Sequence, residues 1–258
     1  MIWLDEGGQQ SGHPLVPTPP PLRHVVEHFW VQEAAPNDVR RIVPDPNAYV
    51  IFSVARGPTG LTADCRIVGA RSTFFDVDTA GRELTIGARL RPGVLPRLVR
   101  DSAAQFTDRS APLGDIAGRS GARLLEQMAE APPRAALAHL AQFLSARFAC
   151  VTALPADLLE GVTSVFELAQ TLRRSRRSAY NRLTEAVGLA PKLALRIHRL
   201  HKALFELNKE RSLADAAATA AYSDQSHFSR EAVRLLGEPP AVWRRRHCSF
   251  VQDGKPFR

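Results

Sequence analysis

One local pattern, a short helix, a tight turn and a second helix, occurs twice in the last hundred residues, and a single helical stretch joins the copies. The first runs Val165-Phe166-Glu167-Leu168-Ala169-Gln170-Thr171-Leu172, turns at Arg173-Arg174, and resumes from Ser175 as Arg176-Arg177-Ser178-Ala179-Tyr180-Asn181-Arg182-Leu183. The second runs from Ser212-Leu213 to Ala220, turns at Ala221-Tyr222-Ser223-Asp224, and resumes as Gln225-Ser226-His227-Phe228-Ser229-Arg230. Ala169 and Ala217 supply the small side chain needed where two helices cross closely. A helix-turn-helix pair projects the polar face of its second helix at a size that fits a DNA major groove. One such pattern is weak evidence, but two at this separation are strong.

The charge distribution agrees. Residues 164–247 carry 16 Lys and Arg against 8 Asp and Glu, whereas the rest of the chain is balanced at 18 against 18. The basic excess therefore lies in the segment with the doubled pattern, as expected of a nucleic-acid module attached to a neutral domain. No apolar run approaches the roughly 18 residues that span a bilayer. The start, Met1-Ile2-Trp3-Leu4-Asp5-Glu6, lacks the basic and apolar pattern of a signal peptide. Cys65, Cys150 and Cys248 are isolated and read as reduced thiols. A cytoplasmic protein without membrane contact is expected.

Ser175 suits the N-cap of the first recognition helix, and Ser223 or Asp224 that of the second. Arg177, Tyr180 and Asn181, at i, i+3 and i+4, share one exposed face. Arg pairs bidentately with guanine and Asn with adenine, while Tyr packs on bases or sugar. Arg173, Arg174 and Arg176 cluster at the turn, where phosphate contacts usually fall. Cations at a helix N-terminus oppose the macrodipole unless an anion is present, so stability alone does not account for them. Gln225, Ser226 and Arg230 are polar residues open to the groove in the second motif. Ser178, His227 and Ser229 are assigned to phosphate contacts.

Between the motifs, Pro191 to Asn208 reads as one helix of 18 residues with Leu195, Leu200, Leu204 and Leu207 on its apolar side. At 1.5 Å per residue it spans about 27 Å, enough to hold two recognition helices roughly 34 Å apart, one turn of DNA. His198 and His201 lack a nearby Cys or acidic partner and are not expected to bind metal.

With these residues in view, the last hundred residues resemble the AraC/XylS family of bacterial transcription regulators. The resemblance runs from Leu168 to Arg246 through Gly188-Leu189-Ala190-Pro191, Ser212-Leu213-Ala214-Asp215, Tyr222 to Arg230, Gly237-Glu238-Pro239-Pro240 and Trp243-Arg244-Arg245. It implies a seven-helix domain that binds promoter DNA and activates, less often represses, transcription. The family's base-reading positions fall on Arg177, Tyr180, Asn181, Gln225, Ser226 and Arg230. His28-Phe29-Trp30, Pro44-Asp45, Ile67-Val68-Gly69 and Gly87 to Gly93 look, less specifically, like the sensor-like domain preceding such modules. The turn glycine usual in both motifs is here Arg173 and Ala221. If those turns need a positive φ, each substitution costs about 1 kcal/mol. Ala216 and Ala232 stand where large apolar residues are usual, leaving a looser core unless Leu236 or Trp243 fills the space. Arg182 occupies an often apolar position. The second motif is therefore expected to bind mainly through phosphates.

The N-terminal half reads as β-rich. Runs at Val25–Val31, Tyr49–Val54, Arg66–Val68, Thr73–Val77 and Leu84–Leu90 are separated by Gly and Pro, suggesting a small barrel or sandwich. Helices follow at 94–99, 113–128 and 134–148. The fold class expected is α+β: a β-rich, barrel-like domain with following helices, then an all-α domain with two helix-turn-helix motifs and a linker helix. The divisions expected are a flexible tail at 1–21, a sensor or dimerisation domain at 22–152, the DNA-binding domain at 153–250 and a tail at 251–258. His24 and His28 read as a packed or surface pair. Arg89 and Arg91 share a strand face, either solvated or holding an anionic effector, with the former more ordinary.

A sequence-specific transcription regulator, an activator by resemblance, fits best, with no catalytic residues, metal or cofactor. Its expected partners are double-stranded promoter DNA and RNA polymerase, with a small-molecule effector and a second copy of the chain as further candidates. The effector site is not identified. The alternatives are a cupin-like metalloenzyme tethered to DNA and a non-specific architectural DNA protein.

Overall fold

The computed structural model describes residues 15–33, 39–148, 158–159, 162, 164–209 and 211–248. The first 14 residues of the expected tail, the expected boundary near residue 153, Cys150 and the tail at 251–258 lie outside the described residues. The strands are β1 (Leu15–Val16), β2 (Val26–Glu33), β3 (Val39–Ile42), β4 (Tyr49–Gly57), β5 (Gly60–Val68), β6 (Phe75–Asp78), β7 (Arg82–Leu90) and β8 (Ser110–Pro112). The helices of the same half are α1 (Leu95–Val99), α2 (Leu113–Ala117), α3 (Arg119–Ala129) and α4 (Pro133–Phe148). The C-terminal half holds α5 (Val165–Thr171), α6 (Arg176–Val187), α7 (Pro191–Asn208), α8 (Leu213–Thr219), α9 (Gln225–Leu236) and α10 (Pro240–Cys248). Six of the seven helices implied by the resemblance are thus among the described residues.

The expected α+β architecture is present, but its sheet does not close. Six antiparallel strands run in the order β1-β2-β7-β4-β5-β8, and β3 and β6 form a separate ribbon. The edges β1 and β8 have two and three residues and pair with only Phe29 and Trp30 of β2 and Arg66 to Val68 of β5. Closure is unnecessary because packing covers the faces. Along β7, Ile86, Ala88 and Leu90 alternate toward a core shared with Phe29, Phe52 and Ile67. Leu124 and Met128 of α3 and Leu140, Leu144 and Phe148 of α4 seal that face. Each such buried side chain contributes about 1.5–3 kcal/mol.

On the opposite face Trp30 is fully buried and meets Tyr49 edge-on with ring centroids 5.7 Å apart. Gly87, paired with Trp30 in the β2–β7 register, leaves room for the indole, because a Cβ there would overlap its ring. This absence of a side chain lets the aromatic pair pack with Leu15, Ile51 and Val68 on the face opposite the core.

Three local expectations change. Part of the presumed tail is built into the fold: Leu15 and Val16 pair with Trp30 and Phe29, and Pro20–Leu22 makes a 3-10 turn. The helix expected over 113–128 breaks at Gly118, whose φ of 59 and ψ of −141 no helix accommodates. Arg89 is not solvated. It is 9% exposed and pairs with Asp45 at 2.9 Å and Glu27 at 3.2 Å. Arg91 lies beyond the strand and donates to the carbonyl of Arg23 at 2.5 Å.

Gly87→Ala is expected to cost about 1–3 kcal/mol through overpacking against Trp30, read from denaturant midpoints together with a change in tryptophan fluorescence.

Candidate nucleic-acid interface

The two motifs are built alike. Ser164 caps α5 by accepting from the amide of Glu167 at 3.2 Å, and Ser212 caps α8 by accepting from Asp215 at 3.1 Å. Each first helix is closed by a long backbone bond across the turn. Arg174 donates to the carbonyl of Ala169 and Tyr222 to that of Ala217, both at 2.9 Å. That closure places the intervening residue in the left-handed region. Arg173 has φ 50 and Ala221 φ 58, so both positions usually occupied by glycine carry a side chain in a strained conformation.

Each recognition helix then begins on a side-chain cap. Ser175 accepts from Ser178 at 3.2 Å, and Asp224 accepts from His227 at 2.6 Å. The hydrogen bond from the His227 amide holds the exposed Asp224 carboxyl below its ordinary range. Buried Ala179, Leu183 and Val187 anchor α6, and Phe228, Ala232, Leu235 and Leu236 anchor α9.

The opposite faces bear the residues expected to meet DNA. Arg177, Tyr180 and Asn181 are exposed together on α6, and Gln225, Ser226 and Arg230 on α9. Tyr180 is 43% exposed, an unusual degree for so large a ring. Arg173, Arg174, Arg176 and Ser178 are exposed as well, with the Arg176 guanidinium 4.9 Å from the ring centroid of exposed Phe166. His227 and Ser229 are half-buried, and His227 is held by Ser223 at 3.1 Å and edge-on to Tyr222. His227 therefore has less freedom than the other assigned phosphate contacts.

The helix between the motifs has the expected bounds. Buried Leu195, Leu200, Leu204 and Leu207 of α7 belong to one apolar cluster with Leu168 and Leu183 of the first motif and Ala217 and Phe228 of the second. Ala216 and Ala232 leave no loose core, because Leu236 and Trp243 are fully buried in that cluster. Packing therefore gives no reason for the second motif to be the weaker. Arg182 is exposed, so no cation intrudes on the apolar seam.

An ionic pin unrecognised in the sequence adds to this packing. Buried Glu231 of α9 accepts from Arg196 at 3.1 Å and Arg199 at 3.2 Å, both on α7. The guanidinium of Arg199 also lies over Tyr222 at 4.7 Å. The spacing of Arg196 and Arg199, with Glu231 on an otherwise apolar helix face, was the available signal.

Between the second sheet face and α7 lies a cleft of about 1070 Å³. On the sheet side Arg89 is neutralised by Asp45 and Glu27, and Tyr49 donates to Asp45. Burial would raise the Asp45 pKa, but Arg89, His201, Tyr49 and Asn47 together hold it low. On the helix side His201 donates through Nε2 to the carbonyl of Pro44 at 2.7 Å. Burial, then His201, Lys202 and Arg89, lowers the His198 pKa to about 4. His28 is likewise lowered to about 4, by burial and then Arg89. His24 points elsewhere, to the carbonyl of Phe148 at 3.1 Å. Among the described residues no three His, Cys, Asp or Glu side chains gather as a metal site. Cys65 is buried and unpaired, its thiol pushed up to about 12 chiefly by burial.

Residues 168–246 match a family described as a helix-turn-helix domain, and residues 15–112 match a domain of unknown function (DUF6597). No curated protein is significantly similar to the chain. Among solved structures, a crystal structure of ToxT from Vibrio cholerae is 10% identical, covering 84% of this chain and 96% of its own, with a TM-score of 0.41. A second, of wild-type ToxT from Vibrio cholerae bound to an unsaturated fatty acid, is 10% identical over 86% and 95% of the two chains, at a TM-score of 0.42.

Ala221→Gly is expected to stabilise the protein by about 1 kcal/mol by relieving the positive φ, measured as a rise in denaturant midpoint. For His28 and His198 the folded pKa lies below the unfolded 6.5, so the unfolded chain binds more protons between pH 6.5 and about 4. Stability should therefore be fully present above that window and fall as pH drops through it. His198→Gln should flatten the fall in a series of denaturation curves across this range.

Proposed function

We infer that this chain, whose C-terminal module is an AraC-type tandem helix-turn-helix domain, regulates transcription by reading a specific promoter sequence with both motifs. The observation that carries the proposal is the joint exposure of six groove-compatible side chains on two recognition helices packed on one strut. Arg177, Tyr180 and Asn181 read one major groove, and Gln225, Ser226 and Arg230 the next. Arg173, Arg174, Arg176, Ser178 and Ser229, with His227 in a more fixed place, contact phosphates. Arg176 is suited to that role because the Phe166 ring orients its guanidinium without consuming its donors.

Activation through RNA polymerase, in the cytoplasm and without catalysis, completes the proposed role, with a second copy of the chain as a further partner. No helix among the described residues is long and apolar enough to cross a membrane. The regulatory domain, expected over 22–152, takes in β1 and so begins at Leu15, and the DNA-binding domain is placed from near 153. The cleft between them is the proposed effector site. It joins apolar Leu183, Val187 and Phe205 to basic Lys192 and Lys202, a combination suited to a small acidic molecule with an apolar body.

Titration on promoter and random duplexes tests the proposal. Arg177→Ala should lose about 1–3 kcal/mol of discrimination between sites. Arg176→Ala should weaken all duplexes alike and reduce the salt slope by about one. Equal affinity of the parent chain for promoter and random DNA would exclude sequence-specific regulation.

A further inference from the structure

We propose that the N-terminal domain is a two-point clamp that holds the C-terminal turns of both recognition helices and so fixes their mutual placement. Both helices end on a left-handed glycine, Gly188 after α6 with φ 91 and Gly237 after α9 with φ 73. Helix C-termini leave carbonyls without intrahelical partners. Here the N-terminal domain supplies donors to both.

At the first point, Gly93 donates its amide to the carbonyl of Ala186 at 3.2 Å, and Thr107 donates its hydroxyl to the carbonyl of Gly188 at 2.6 Å. The approach is close: a Cβ on Gly188 would lie 2.7 Å from the Ala103 carbonyl oxygen and 2.9 Å from Thr107 Oγ1. At the second point, Phe74 donates its amide to the carbonyl of Leu235 at 3.2 Å, and Arg41 donates to the carbonyl of Leu236 at 3.3 Å. The Phe74 ring occupies the space where a Gly237 side chain would stand. Arg41 is itself oriented by Asp76 at 2.9 Å and by the Phe74 ring at 4.4 Å.

The points come from different parts of the N-terminal domain, one from the segment after β7 and the other from the β3–β6 ribbon. Val43 and Ala70, also N-terminal, are buried in the apolar cluster of the DNA-binding half. The domain therefore grips the two motifs from behind, leaving their groove-facing sides open. Its cleft, lined by Arg89 on one side and by Leu183 and Glu231 on the other, contacts the sheet and both recognition helices. Two recognition heads fixed in one relation engage successive grooves with less ordering cost than a hinged pair.

The test uses the full chain with spin labels at exposed positions, Glu185→Cys on α6 and Val233→Cys on α9, in a Cys150→Ser, Cys248→Ser background that leaves buried Cys65 in place. The parent should give a narrow label-to-label distance distribution, and Thr107→Val with Arg41→Gln should broaden it while thermal unfolding stays cooperative. Should the pair fail to fold, the near-isosteric Thr107→Val alone gives the same readout. A distribution equally narrow in parent and variants overturns the clamp. In parallel, affinity for a duplex with both half-sites should fall about tenfold, with affinity for a single half-site unchanged. Broadening without that loss overturns the clamp's part in DNA binding. This last arm rests on the DNA-reading proposal, whereas the distance measurement does not, so failure of the parent to discriminate promoter from random DNA is separable from failure of the clamp.

Discussion

One apolar cluster runs through both helix-turn-helix motifs, with α7 as its axis, and it turns the exposed polar faces of α6 and α9 outward. Leu195, Leu200, Leu204 and Leu207 do not merely bury a helix: they are the common floor on which Leu183 of α6 and Phe228 of α9 rest. Lifting either recognition helix off this core costs several kcal/mol for large buried side chains, while the N-terminal contacts at the turns after α6 and α9 set the finer placement of the two helices. Glu231 adds direction to that packing. A carboxylate buried between two arginines is costly to separate from either, so the Glu231 face of α9 stays turned toward α7.

The motifs pay for their turns in backbone strain, since Arg173 and Ala221 both adopt a conformation that glycine takes freely. At Arg173 the side chain is a cation on the surface expected to face phosphates, which gives the strain a use. At Ala221 no such compensation is visible. Charge is divided just as unevenly. The basic excess belongs to the DNA-binding half, while the N-terminal half is balanced and buries one arginine, Arg89, behind the sheet between Asp45 and Glu27.

Much of the DNA-binding half is legible in the sequence because its determinants are local. Capping serines, close-crossing alanines and helical periodicity each act within one or two turns of chain. The bounds of α7 and the exposed faces of α6 and α9 follow from that periodicity. The N-terminal half is less legible. Strand alternation identifies Arg89 as opposite the core but does not reveal that a second domain covers that face and that Asp45, distant in sequence, neutralises it. Strand content alone suggests closure into a barrel, whereas the register shows an open sheet. β3, a ribbon strand rich in arginine, carries no apolar signature, and Gly118 breaks a helix whose periodicity continues across it. The contacts at Thr107, Phe74 and Arg41 depend on pairing between segments far apart in the chain, and no local pattern announces them.

The central claim is that two recognition helices on one strut engage successive major grooves on one face of the duplex. Hydroxyl-radical footprinting of the full chain on the region upstream of its own coding sequence tests it most directly. Two protected patches about 10 base pairs apart on one face are predicted, the nearer to α6 lost on changing Asn181 and the nearer to α9 on changing Gln225. A single patch, or protection spread evenly over unrelated DNA, would contradict it.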